Sequence, residues 1–187
     1  MRVLVTARVL AGRLSRRGGS AARRGRITVT VKGDFPEDEW ARVVRAPFVA
    51  GLAISLADPG GPIEAAKESM ATIRSATNPP SREQLLAEVA LDLQAQTQAR
   101  HNPLKGYKPT GTPPPGEQVL AELGEVQRIV AARATPEEAT AFGQWLVATA
   151  QAAADAAKEG GFVGFGAEQV SAREQAMLEQ VRAAVSA

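Results

Sequence analysis

Residues 43–57 (VVRAPFVAGLAISLA) constrain the chain more than any other stretch. Arg45 is their only charge and Ser55 their only hydroxyl, and apolar residues fall on every side of a helix drawn through them. A helix that is apolar all round is enclosed by other helices or lies in a membrane. Fifteen residues interrupted by an arginine and a proline are too few to cross about 30 Å of hydrocarbon, which takes roughly 20. The stretch therefore predicts a buried central helix, about residues 47–57, packed by the amphipathic segments that follow. Pro47 cannot donate to the preceding turn, so a kink or break is expected there.

The surroundings suit that role. Alanine, the best helix former, occurs 36 times, while aromatics make up only 4%. A core so rich in small side chains lets helices approach closely. There is no cysteine, which excludes disulfides, thiolate nucleophiles and cysteine–metal sites.

The net charge of +2 hides an asymmetry. Residues 1–33 carry eight arginines and Lys32 with no acid, a charge of +9; residues 34–187 carry 13 basic and 20 acidic side chains, a charge of −7. The two parts are expected to differ: a flexible basic N-terminal arm over 1–33 and a helical bundle over 34–187. An Arg-rich, acid-free arm fits a mitochondrial transit peptide, a basic arm for nucleic acid or anionic surfaces, or a non-native upstream start. Within it ITVTV (27–31) alternates with period two and suggests one short strand without a partner.

Along the rest of the chain the signals are helical. Pro36 with Glu37, Asp38 and Glu39 forms a helix start, and Trp40, Val43 and Val44 begin a buried stripe. DPGGP (58–62) is a turn. The next helix starts at Pro62 and carries Ile63, Ala66, Met70 and Ile73 on one side, the side expected to face the core. Ser81 and Gln84 match a capping box before Leu85, Leu86, Val89 and Leu93. Residues 101–116, with five prolines and three glycines, form a midpoint linker without regular structure. Val119, Leu120, Leu123, Val126, Ile129 and Val130 mark another helix. Thr135-Pro136-Glu137-Glu138 starts one that runs to Lys158 with an alanine seam at Ala152, Ala153 and Ala156. Gly160-Gly161 ends it, and Ser171 with Glu174 caps the last helix. The fold class is all-α, a single bundle of six to seven helices.

Catalytic constellations are missing from this sequence. His101 is the only histidine and sits beside Asn102-Pro103, where it faces solvent. There is no metal-spaced histidine set, no G-x-S-x-G and no S-x-x-K. Carboxylates pair at i,i+4 in Glu64/Glu68 and Glu88/Asp92, which we read as solvated helix faces. Gly161, Phe162, Gly164, Phe165 and Gly166, in GFVGFG, lack the spacing and preceding strand of a phosphate loop. They are read as a helix–loop–helix corner pinned by its two phenylalanines, and as the interaction loop if the chain has one. No catalytic, cofactor-binding or metal-ligating residue is assigned.

The ending EGGFVGFGAEQVSAREQAML, with Trp40…Ala46-Pro47…Ala50-Gly51 and Asp58-Pro59-Gly60-Gly61-Pro62, resembles an uncharacterised family of small, alanine-rich, all-helical bacterial proteins. The resemblance spans about residues 35–187 and implies a helical fold and a bacterial origin, with no activity attached. Gln169 to Glu174 also resembles the acidic loop of the tellurite-resistance-associated helical domain.

The expected function is therefore non-enzymatic: a cytoplasmic bundle, or a mitochondrial one in a eukaryote, that binds a protein partner or itself, without a membrane span. One alternative is a stress-related protein binding a small molecule or metal ion. Another is nucleic-acid association, which only residues 1–33 would support, because the acidic bundle repels phosphate.

Overall fold

Three acidic side chains behind a proline make a helix start, and α1 (Glu37–Ala57) begins there, with Pro36 at its N-cap. It belongs to a computed structural model that describes residues 29–158 and 170–186. α2 (Pro62–Thr77), α3 (Gln84–Gln98), α4 (Pro115–Arg133), α5 (Pro136–Lys158) and α6 (Ala172–Val185) follow, preceded by one 3-10 turn at Lys32–Asp34. The six helices pack as one bundle, with no strand among the described residues. ITVTV accordingly contributes no strand in its described part, residues 29–31.

α1 does not break at Pro47. It runs unbroken for 21 residues, so the expected 47–57 helix is the second half of a longer element. An interior proline costs about 3 kcal/mol through a lost hydrogen bond and a ring clash. Packing outweighs that cost: Val43, Ala46, Val49, Ala50, Ala53 and Ile54 are fully buried. By length and composition α1 also passes as a membrane span; here most of it is covered by protein, as in any core helix. α5 shares the central position, for α1 and α5 each touch every other helix. Phe142 and Trp145 on α5 are wholly buried and meet edge to face, their centroids 6.0 Å apart. The alanine seam of α5 is Ala150, Ala153 and Ala154, which shares only Ala153 with the expected set. Close approach decides it: α6 lays its C-terminal backbone on Gly143, where an added Cβ would lie 2.8 Å from the Val185 carbonyl oxygen.

α2 is turned inside out relative to its sequence pattern. Ile63 and Met70 are 69% and 62% exposed, and Ala66 and Ile73 also face solvent. The buried residues are Glu68, Thr72 and Ala76. The cause lies on α1, where Gly51 presents bare backbone to Thr72: an added Cβ would lie 2.6 Å from Thr72 Cγ2 and closer still to its hydroxyl. Helix axes that near admit threonine and alanine between them but not methionine or isoleucine.

Two expected details of the connections also change. Ser81 and Gln84 make no capping box; α3 starts at Gln84, and Ser81 Oγ accepts instead from the Glu83 amide at 3.4 Å. The proline-rich segment has no helix or strand from 99 to 114, yet it is not free of the bundle. Leu104 and Tyr107 pack on the core, and the Arg45 guanidinium lies 5.1 Å from the Tyr107 ring centroid.

Residues 29–34, divided in the sequence reading between arm and bundle, are part of the packing. Thr30 is buried, and Lys32 Nζ contacts Asp92 at 2.9 Å. The Phe35 and Trp40 rings pair at 5.4 Å. Residues 1–28 lie outside the described residues.

Candidate functional site

GFVGFG falls outside the described residues, and with it Gly161, Phe162, Gly164, Phe165 and Gly166. The Ser171–Glu174 box that follows it is formed: Ser171 Oγ accepts from the Glu174 amide at 3.2 Å, and Glu174 Oε2 accepts from the Ser171 amide at 2.8 Å. Beside it α5 and α6 flank an open cleft of about 460 Å³ lined by Gln151, Gln175, Glu179 and Arg182 among others. Among the described residues no nucleophile or matched acid–base pair lines it.

The buried and part-buried polar residues form separate groups, hydrogen-bonded within themselves except at Arg45 Nε and Gln127 Oε1, which have no hydrogen-bond partner among the described residues. Glu122 on α4 accepts from Arg42 Nε and Nη2 at 3.1 and 2.7 Å and from Arg45 Nη2 at 2.8 Å. Burial works to raise the Glu122 pKa, but the two guanidinium hydrogen bonds prevail and hold it below the ordinary carboxylate range. Two arginines locked on one carboxylate, under the Tyr107 ring, tie α1, α4 and the proline-rich strap together.

The i,i+4 carboxylates are not a working pair either. Glu88 accepts from Gln84 Nε2 at 3.0 Å, while Asp92 accepts from Trp40 Nε1 at 2.7 Å and from Lys32. Glu68 contradicts the solvated-face reading, being only 2% exposed and hydrogen-bonded by Ser55 Oγ across the α1–α2 contact. Burial raises its pKa most; the Ser55 hydrogen bond opposes this, and Glu174, Glu64 and Asp58 add to the rise. A carboxyl whose pKa is raised on folding stabilises the protein below its unfolded value, near 4.5, and loses that contribution as pH rises through the folded value. Glu68→Gln should therefore raise the unfolding midpoint at pH 8 more than at pH 4. A fall at both pH values would show that the ionised carboxylate is needed where it sits.

His101 is exposed, and among the described residues no three His, Asp or Glu side chains converge to hold a metal ion. What remains is the outward face of α2. The helix is stapled down by polar contacts: Trp145 Nε1 donates to the Ser75 carbonyl at 3.0 Å, and Ser75 and Thr149 share a hydroxyl contact of 2.9 Å. At its C-terminal end Gln94 Nε2 of α3 donates to the Thr77 carbonyl at 2.9 Å. With its polar side so engaged, α2 presents Ile63, Ala66, Met70 and Ile73 to solvent as a continuous apolar stripe. Leu91, one turn before Gln94 on α3, is also exposed, at 62%.

The sequence shows these four apolar positions plainly and misplaces them. The signal that would have oriented α2 is Gly51, which marks where the neighbouring helix comes closest. Comparison with known proteins adds no family to this geometry: no protein-family model matches the chain, and no curated protein or solved structure is a significant match.

Proposed function

We propose that this chain is a non-enzymatic helical module that acts by binding another protein through the exposed face of α2. The observation that carries this is the inversion of that helix, which buries Glu68 and Thr72 while leaving Ile63 and Met70 largely in solvent. Contiguous exposed apolar surface on a soluble fold marks a place where something else docks. A surface helix with nothing to bind would gain stability by facing its apolar side inward. Among the described residues most polar groups elsewhere are engaged with one another, and no three His, Asp or Glu side chains converge.

The triple variant Ile63→Ser, Met70→Ser, Ile73→Ser tests this reading. We expect its unfolding midpoint to stay within a few degrees of the parent, as surface substitutions alter stability by about 0.5 kcal/mol or less. Binding of an apolar-surface dye should fall. A drop in the midpoint of ten degrees or more would show that the chain itself covers this face, and the reading would fail.

A further inference from the structure

The identity of the docked element can be taken further, on the basis of the α2 reading. We propose that the α2 face receives one amphipathic helix of a partner protein, apolar at heptad spacing and acidic along one flank.

The spacing comes first. Ile63, Ala66, Met70, Ile73 and Thr77 follow one another at steps of three, four, three and four, the a and d positions of a heptad seam. The seam is narrow and straight, and at 1.5 Å per residue it is about 21 Å long. Such a stripe fits a second helix laid along it better than an extended peptide or an irregular loop. Leu91, one turn before the Gln94 that ties α3 to the end of α2, is a further exposed apolar side chain.

Charge then selects the partner. At 100° per residue Lys67 and Arg74 fall along one edge of the seam, at the e positions, while Pro62 and Ser69 form the other edge. Glu64 and Glu68 lie on the half turned toward the bundle. The outward half of α2 thus carries two cations and no anion, and neither cation makes an ion pair among the described residues. A partner helix with Asp or Glu on the matching flank would pair both.

The same charges disfavour the other occupants. Two copies of α2 packed antiparallel would set Lys67 and Arg74 of one against those of the other, and packed parallel would set them against Pro62 and Ser69, which offer no anion. An anionic lipid surface would meet the two cations, but residues 34–187 around them carry −7, and the +9 that offsets this lies in residues 1–33, away from α2 in sequence.

The probes are two synthetic three-heptad peptides with the same Leu/Ile seam, one flanked by glutamate and the other by lysine. Like charges on each flank keep either peptide from pairing with itself. Each is titrated into the full chain and followed by fluorescence anisotropy. The glutamate peptide should bind saturably, and the lysine peptide about tenfold more weakly, the scale of two rim ion pairs exchanged for repulsion. Lys67→Glu with Arg74→Glu should reverse the order, and Met70→Ser should abolish both. Equal affinity for the two peptides would overturn the acidic-partner inference. Binding of neither, in a chain that is a dimer by mass and becomes monomeric on Met70→Ser, would also overturn it while leaving α2 a protein-binding face. Met70-dependent binding to phosphatidylserine vesicles, with no peptide binding, would overturn the inference and the protein-binding reading together.

Discussion

Ile54→Asp is expected to leave a chain with no cooperative unfolding transition. Ile54 is wholly buried in the second half of α1, which like α5 touches every other α-helix. The substitution removes a well-packed branched side chain and sets a carboxylate where nothing can pair with it. Burying such a charge costs several kcal/mol or more, against a net stability of about 5–15 kcal/mol for an ordinary domain. Leu52→Asp, two residues away but only partly buried, should be milder and give a folded protein with a lowered midpoint. Thermal melts followed by far-ultraviolet circular dichroism distinguish the two. A cooperative Ile54→Asp melt within a few degrees of the parent would mean that α1 is not the centre of the fold.

Glu138→Ala should be the most costly change at a polar side chain. Glu138 is 3% exposed and its carboxylate accepts four hydrogen bonds. The donors are the Thr30 amide at 3.3 Å, Thr30 Oγ1 at 2.5 Å, the Leu85 amide at 3.4 Å and the Thr135 amide at 3.2 Å. One side chain thus serves the first turn of α3, the cap of α5 and the segment that precedes α1. The first amides of a helix have no partner within it, and an anion beside them is favoured by the helix dipole. Removing the carboxylate strands several buried donors at about 1–3 kcal/mol each, so we expect a loss of about 3–5 kcal/mol in denaturant unfolding. Glu138→Gln, which keeps one acceptor, should lose less.

The pH dependence of that stabilisation has a definite sign. Burial works to raise the Glu138 pKa, but the hydrogen bonds from Thr30, Thr135 and Leu85 outweigh it and bring it below the ordinary value of 4.5. Its contribution is therefore present above that value and lost as pH falls through the lower, folded one. Asp92 and Glu122 are shifted the same way. Unfolding midpoints should fall below about pH 4.5 in the parent and fall less in Glu138→Gln. Identical acid limbs in the two proteins would show that Glu138 is not held as an anion.

Most of the helical architecture is legible in the chain because capping and periodicity are local. Pro36 with three acids, Pro62, Thr135-Pro136-Glu137-Glu138 and Ser171 with Glu174 mark helix starts where the structure has them. The buried faces of α3 and α4 follow from Leu85, Leu86, Val89 and Leu93 and from Val119, Leu123 and Val126. What cannot be read locally is the face a helix buries when its own pattern is outvoted by its neighbours. Ile63, Met70 and Ile73 promise a core face for α2, and Gly51 on another helix sets the distance that excludes them. Glu138 is illegible for the same reason: its spacing from Thr135 reveals a cap, but nothing near it in sequence points to Thr30 or Leu85. The candidate binding face was visible as a stripe and invisible as a surface.

The Glu138 contact also sets an order of events during synthesis. Thr30 and Glu138 are 108 residues apart, and closing a loop of that length costs about 4 kcal/mol beyond the constant term. The site that receives Thr30 also requires Leu85 and Thr135 to be in place. At about 5–20 residues per second, the stretch between them takes about 5–20 s to emerge from the ribosome. Throughout that interval Thr30 lacks its acceptor, although Lys32, two residues on, can already meet Asp92 once α3 has emerged.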